Sequence, residues 1–199
     1  MEEKYYEAQV FKDLKINDEI FEGYKFTDCE FENCVFESCR LLSCSFSGCS
    51  FIKCTVMSLE AEAHSRIQYV EFDRCNLIGV HWEELMPDGA FAEPIKGFYG
   101  CRLKYNTFSE MNLKKFDFTG NEISDSMFAD CRLQESRMKG CKLEGTEFFK
   151  CDLRKADLRG TAGYQMDIRS CKLKDVYKRQ VINKVWIGTA LFYKIVEKE

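Results

Sequence analysis

From Cys29 to Cys54 a cysteine stands at every fifth position, and two residues after each comes a large apolar side chain: Phe31, Phe36, Leu41, Phe46, Phe51 and Val56. The apolar series runs back through Phe26, Phe21, Ile16 and Phe11 to Tyr6. A second series, shifted by one, holds Ile67, Phe72, Leu77 and Trp82, and a third runs from Phe98 to Leu173, lapsing at Gly163 before Ile168. A period of five fits neither a 3.6-residue helix nor a two-residue strand, so the unit must be a short extended piece plus a turn. Common zinc sites pair cysteines two to four residues apart, and disulfide frameworks are irregular, so neither explains the spacing. No metal site is expected.

All twelve cysteines lie two residues before a member of one of these series, and where cysteine is absent the place often goes to Ser126, Ser136, Thr146, Ala156 or Thr161. That position is therefore reserved for a small residue, which suits cysteine as a compact, weakly polar hydrophobe. Gly100, Gly120, Gly140 and Gly160 recur every twenty residues, as though one corner in four favours positive φ. Twenty residues thus make one four-sided coil, and coils stack at strand spacing, roughly 4.8 Å.

The unit of small residue, polar residue, Phe or Leu, and two mostly polar residues resembles the pentapeptide-repeat family, over most of the chain. The resemblance implies an all-β fold, a right-handed quadrilateral parallel β-helix, in which the large residue and the small one before it point inward. Some members, the quinolone-resistance type, look like duplex DNA in size and charge. For this chain that resemblance implies, as an alternative function, DNA mimicry directed at a type II topoisomerase (DNA gyrase or topoisomerase IV), protecting it from quinolones.

Residues 1–20 read as an N-terminal cap or first repeats, and 21–175 as the β-helix. The register slips by one within residues 57–66, "MSLEAEAHSR", an excursion with helical propensity, and again within 83–97, which holds both prolines. The second loop offers Glu83, Glu84, Met86 and Phe91 as partner contacts. Residues 176–199 lose the repeat and take roughly helical apolar spacing, which reads as a short capping helix or an element for a homodimer through the C-terminal end.

No apolar run approaches the length of a membrane span, and the acidic start is no secretory signal, so a cytoplasmic location with reduced cysteines is expected. No phosphate-binding, hydrolase or metalloprotease motif occurs, and His64 and His81 show no partner arrangement, so neither enzyme activity nor a cofactor is expected. Residues 1–100 carry 19 acids and 9 bases, and residues 101–199 carry 14 acids and 20 bases. In the third series the wall centred on Leu113, Leu133, Leu153 and Leu173 displays Lys114, Lys115, Arg132, Arg154, Lys155, Lys172 and Lys174 against Glu135, Asp152 and Asp175, a candidate partner surface. The wall centred on Phe108, Phe128, Phe148 and Ile168 displays Glu110, Asp130, Glu147 and Asp167 against Lys150 and Arg169. An anionic mimic needs continuous negative charge, and the basic second half departs from that requirement. The expected function is a non-enzymatic scaffold or protein-interaction module.

Overall fold

Three residues of extended chain followed by a two-residue corner make one side of a square, and the chain repeats this side without a crossover. The computed structural model describes residues 4–62, 64–86, 94–167 and 169–176. Among them are 22 strands, mostly of three residues, and a single 3₁₀ turn at Trp82–Leu85. Every strand pair is parallel, and partners in the first coils are twenty residues apart, as in Tyr6 opposite Phe26 and Phe26 opposite Phe46. The result is the four-walled β-helix implied by the resemblance, about eight coils tall.

The first wall holds Tyr6, Phe26, Phe46 and Ile67, and continues through paired residues Asn112, Arg132, Asp152 and Lys172. Phe11, Phe31, Phe51, Phe72 and Phe98 build the second wall, and the third runs from Ile16 to Ile123 and onward. Phe21, Leu41 and Ala61 begin the fourth; His81 opposite Thr107 carries it across the break to Phe108, Phe128 and Phe148. Because coil spacing matches aromatic stacking distance, the inward rings form ladders: Phe31 to Phe51 is 4.7 Å, Phe108 to Phe128 is 4.5 Å and Phe128 to Phe148 is 5.1 Å.

Most corners turn through a left-handed residue. At Gly120 and Gly140, with φ of +83° and +71°, a Cβ would meet nothing within 4 Å, so glycine serves the dihedral rather than space. Elsewhere 21 non-glycine residues accept the same region, Lys115 and Lys155 among them at φ 62° and 61°.

The cysteines are all buried and free, and their role is more specific than filling space. Each strand leaves the carbonyl of its inward residue pointing at the core, and the thiol one coil on donates to it: Cys54 Sγ to Phe31 O at 3.2 Å, Cys131 to Phe108 at 3.2 Å, Cys141 to Phe118 at 2.9 Å. Thr146 Oγ1 and Asn121 Nδ2 make the same bond where cysteine is absent, to Ile123 O and Phe98 O. Burial pushes the Cys49 and Cys141 thiols up to about 11. In native buffer at neutral pH a thiol reagent should therefore leave most of the twelve cysteines unmodified, with release of all of them in denaturant; several fast-reacting thiols in the folded protein would contradict the inward placement.

Three expectations change. Residues 57–66 do not leave the wall as a helical excursion: Glu60–Glu62 is a strand paired with Arg40–Leu42, because a neighbouring coil offers backbone partners that outweigh helical propensity, and only a one-residue slip remains, with Phe46 opposite Ile67. The break after Trp82 is also shorter than 83–97, since Ile95–Tyr99 already pairs with Val70–Asp73; residues 87–93 lie outside the described residues. In the last coil Met166, not Ile168, stands opposite Phe148, the corner having lost residues near Gly163; Ile168 lies outside the described residues. Residues 4–22 form the first coil itself, with Tyr6, Phe11, Ile16 and Phe21 only half-buried, while residues 1–3 lie outside the described residues. The predicted C-terminal helix and dimer element, from 177 onward, lie outside the described residues.

Candidate partner-docking face

In the second half, the first wall is made of tight turns rather than full strands. Phe116 N–H returns to Leu113 O at 3.2 Å and Ser136 N–H to Leu133 O at 3.2 Å, so the two residues between each pair project outward. Those projecting residues are Lys114 with Lys115, Gln134 with Glu135, Arg154 with Lys155, and Lys174 with Asp175. Inward Leu113, Leu133 and Leu153 anchor the turns in the core, while Arg132 and Lys172 stand on the leading side of the same wall. All seven predicted basic residues are exposed on this one wall. Five of them, Lys114, Arg132, Arg154, Lys155 and Lys174, line a groove of about 550 Å³ together with Asn112, Gln134, Glu135 and Asp175.

The charges are not equivalent. Arg154 is bound to Asp152, with Nη2 to Oδ2 at 2.7 Å and Nε to Oδ1 at 2.8 Å, and its guanidinium holds the buried Asp152 carboxyl below the usual carboxylate range. Gln134 Nε2 donates to the same carboxylate at 2.8 Å. Lys115 lies 3.9 Å from Glu135. Among the described residues, Lys114, Arg132, Lys155, Lys172 and Lys174 hold no ion pair. Sequence reasoning missed Asn112 and Gln134, because only the coil geometry shows that these neutral neighbours share the groove.

The candidate loop contacts do not gather. Glu83 Oε1 accepts the Thr107 hydroxyl at 2.8 Å, which also lies 2.9 Å from His81 Nδ1, so this carboxylate ties the break to the coil after it. Met86 packs against the core and Glu84 is exposed. Phe91 lies outside the described residues.

The fourth wall, next to the basic one, is acidic along its length: among the described residues Glu22, Glu60, Glu62, Glu83, Glu84, Glu110, Asp130, Glu147 and Asp167 outnumber Arg40, Lys150 and Arg169. The sequence hid this continuity, since the wall's two halves are joined across the break by the pairing of His81 with Thr107. Among the described residues no group of three or more His, Cys, Asp or Glu could hold a metal ion, and no helix is long and apolar enough to cross a membrane.

Comparison with known proteins supplies the repeat's identity. The family model described as pentapeptide repeats matches residues 21–55 and 126–161, with eight copies. No curated protein matches the chain. Among solved structures, full-length QnrB1, a plasmid-mediated fluoroquinolone resistance protein, is 19% identical, with 85% of this chain and 93% of that chain covered and a TM-score of 0.39. Rfr23 from the cyanobacterium Cyanothece 51142 is 11% identical over 92% of each chain, TM-score 0.22. HetL, involved in heterocyst differentiation regulation in Nostoc sp. strain PCC 7120, is 11% identical over 86% of this chain and 87% of that one, TM-score 0.27. Residues 21–55 and 126–161 are thus pentapeptide repeats, and the coils around them are built on the same five-residue unit, four to a coil.

Proposed function

We propose that the protein is a non-enzymatic scaffold, working in the cytoplasm, whose basic wall docks an acidic partner protein. The observation that carries the reading is a gathering of cations without counter-charges. Elsewhere many surface charges are paired from coil to coil, as in Lys12 with Glu32 at 2.6 Å, Arg137 with Asp117 at 2.7 Å and Lys142 with Glu122 at 3.3 Å. Although Lys15, Lys25, Lys53, Arg66 and Lys139 also lack an ion pair among the described residues, none of these lines a groove with the others. On the basic wall five cations on four successive coils have no such counter-charge among the described residues, and four of the five line an open groove. Exposed charges contribute little to stability, so an unpaired row of them is free to serve binding.

Reversing Lys114, Arg132, Lys155 and Lys174 to Glu is expected to abolish capture of the partner while shifting the melting temperature by no more than about 2 °C. Arg154 is left out because its removal would strand the buried Asp152 carboxylate. Partner binding to the wild type should weaken as salt rises, since screening cuts the reach of exposed charges to about 8 Å at physiological ionic strength. A partner retained equally by the fourfold variant overturns the docking reading.

A second reading is favoured by the acidic fourth wall: DNA mimicry directed at a type II topoisomerase such as DNA gyrase. It requires inhibition of supercoiling or protection from quinolones that is lost on changing Glu110, Asp130 and Glu147 to Lys and is undiminished by the basic-wall reversal. A chain without either gyrase effect has no such role.

A further inference from the structure

We infer that the groove on the basic wall takes an acidic α-helix of the partner, lying along the axis of the rod. The inference rests on the docking reading above and names the shape of what docks. Successive cation levels, at Lys114, Arg132, Lys155 and Lys174, are one coil apart, a rise of roughly 4.8 Å. Carboxylates on one stripe of a helix, spaced alternately three and four residues, rise roughly 5.3 Å per step. Over the three steps from Lys114 to Lys174 the two repeats drift apart by only about 1.4 Å, which long, flexible basic side chains absorb. In an extended strand the residues of one face recur every 6.7 Å or so, and the drift over the same three steps reaches about 6 Å, more than one whole coil.

Width argues the same way. A helix with its side chains is about 10–12 Å across. The groove's leading side is bordered by Glu110 and Asp130 at the corner of the acidic wall, so a broader polyanion such as duplex nucleic acid would have to lie over carboxylates.

The test uses the full chain and three fluorescent probes. One is an alanine-based peptide of about 18 residues, with glutamates at alternating three- and four-residue spacing. The second has the same charge but glutamates at every other position, with prolines that keep it extended. The third is duplex DNA of similar length. Anisotropy titrations at about 50 mM salt should show the helical peptide binding at least tenfold tighter than the extended one, an advantage lost in the Lys114, Arg132, Lys155 and Lys174 to Glu variant. Equal or tighter binding of the extended peptide overturns the helix inference and leaves the docking reading standing. Tighter binding of the duplex overturns it in favour of nucleic acid. If none of the probes binds, both the inference and the docking reading fall.

Discussion

Phe128→Ala is expected to destabilise the protein by roughly 3–5 kcal/mol, close to the whole stability of many domains. The ring is fully buried, stacked on Phe108 at 4.5 Å and Phe148 at 5.1 Å, and it meets Phe118 edge-on at 5.7 Å. Removing it deletes the middle of three stacked rings, and the coils on either side cannot close the gap because their spacing is fixed by the backbone ladder. Phe149 is the control: it is the next residue in the chain, yet 42% exposed, and its replacement by Ala should move the urea midpoint only slightly. A Phe128→Ala loss below about 1 kcal/mol would mean that the ladder is not the core.

Asn106→Leu should cost about 3 kcal/mol, although the new side chain is of similar size and more apolar. Asn106 sits at an inward small position and is completely buried. Its amide donates to Leu77 O at 2.8 Å and Lys104 O at 3.0 Å, and its oxygen accepts Trp82 Nε1–H at 3.0 Å. Leucine leaves the indole N–H and the Leu77 carbonyl in the core without partners. Chemical denaturation of Asn106→Leu, Trp82→Phe and the double variant would check this. The double variant should recover part of the summed loss, and strict additivity would show that the indole bond contributes nothing.

The five-residue period made the coil legible before any coordinates, because a repeat of that length leaves only a strand and a corner to build from. The inward positions were readable for the same reason: Phe118, Phe128 and Leu133 are all buried. What could not be read is the stacking across the two breaks, where the offset between paired residues changes from twenty to 21 at Ile67 and to 26 at Phe98. That offset depends on how much chain the corners absorb. The full-length acidic wall follows from it and so escaped a reading confined to the third series. The basic wall was visible as a column of residue names, yet the split between bound Arg154 and unpaired Lys155 depends on which carboxylate, here Asp152, stands within reach on the same turn. The cysteines show a subtler limit: their spacing announced a small inward site, while their bond to the carbonyl of the preceding coil is a property of the stack alone.

The first coil closes nothing. Tyr5–Glu7, Val10–Lys12, Lys15–Asn17 and Ile20–Glu22 are each the last strand of their sheet, so no wall of the rod bends back to meet itself. Height is consequently a free variable, adjustable by whole coils of twenty residues without disturbing the coils that remain. Excising residues 124–143, which run from just after Ile123 to Leu143, would set the Ile123 level directly on the one that follows Leu143 and remove one rung of cations with it. The rod is then a ruler for its own ligand: each coil gained or lost lengthens or shortens the row of charges by one, and with it the span of the partner that fits.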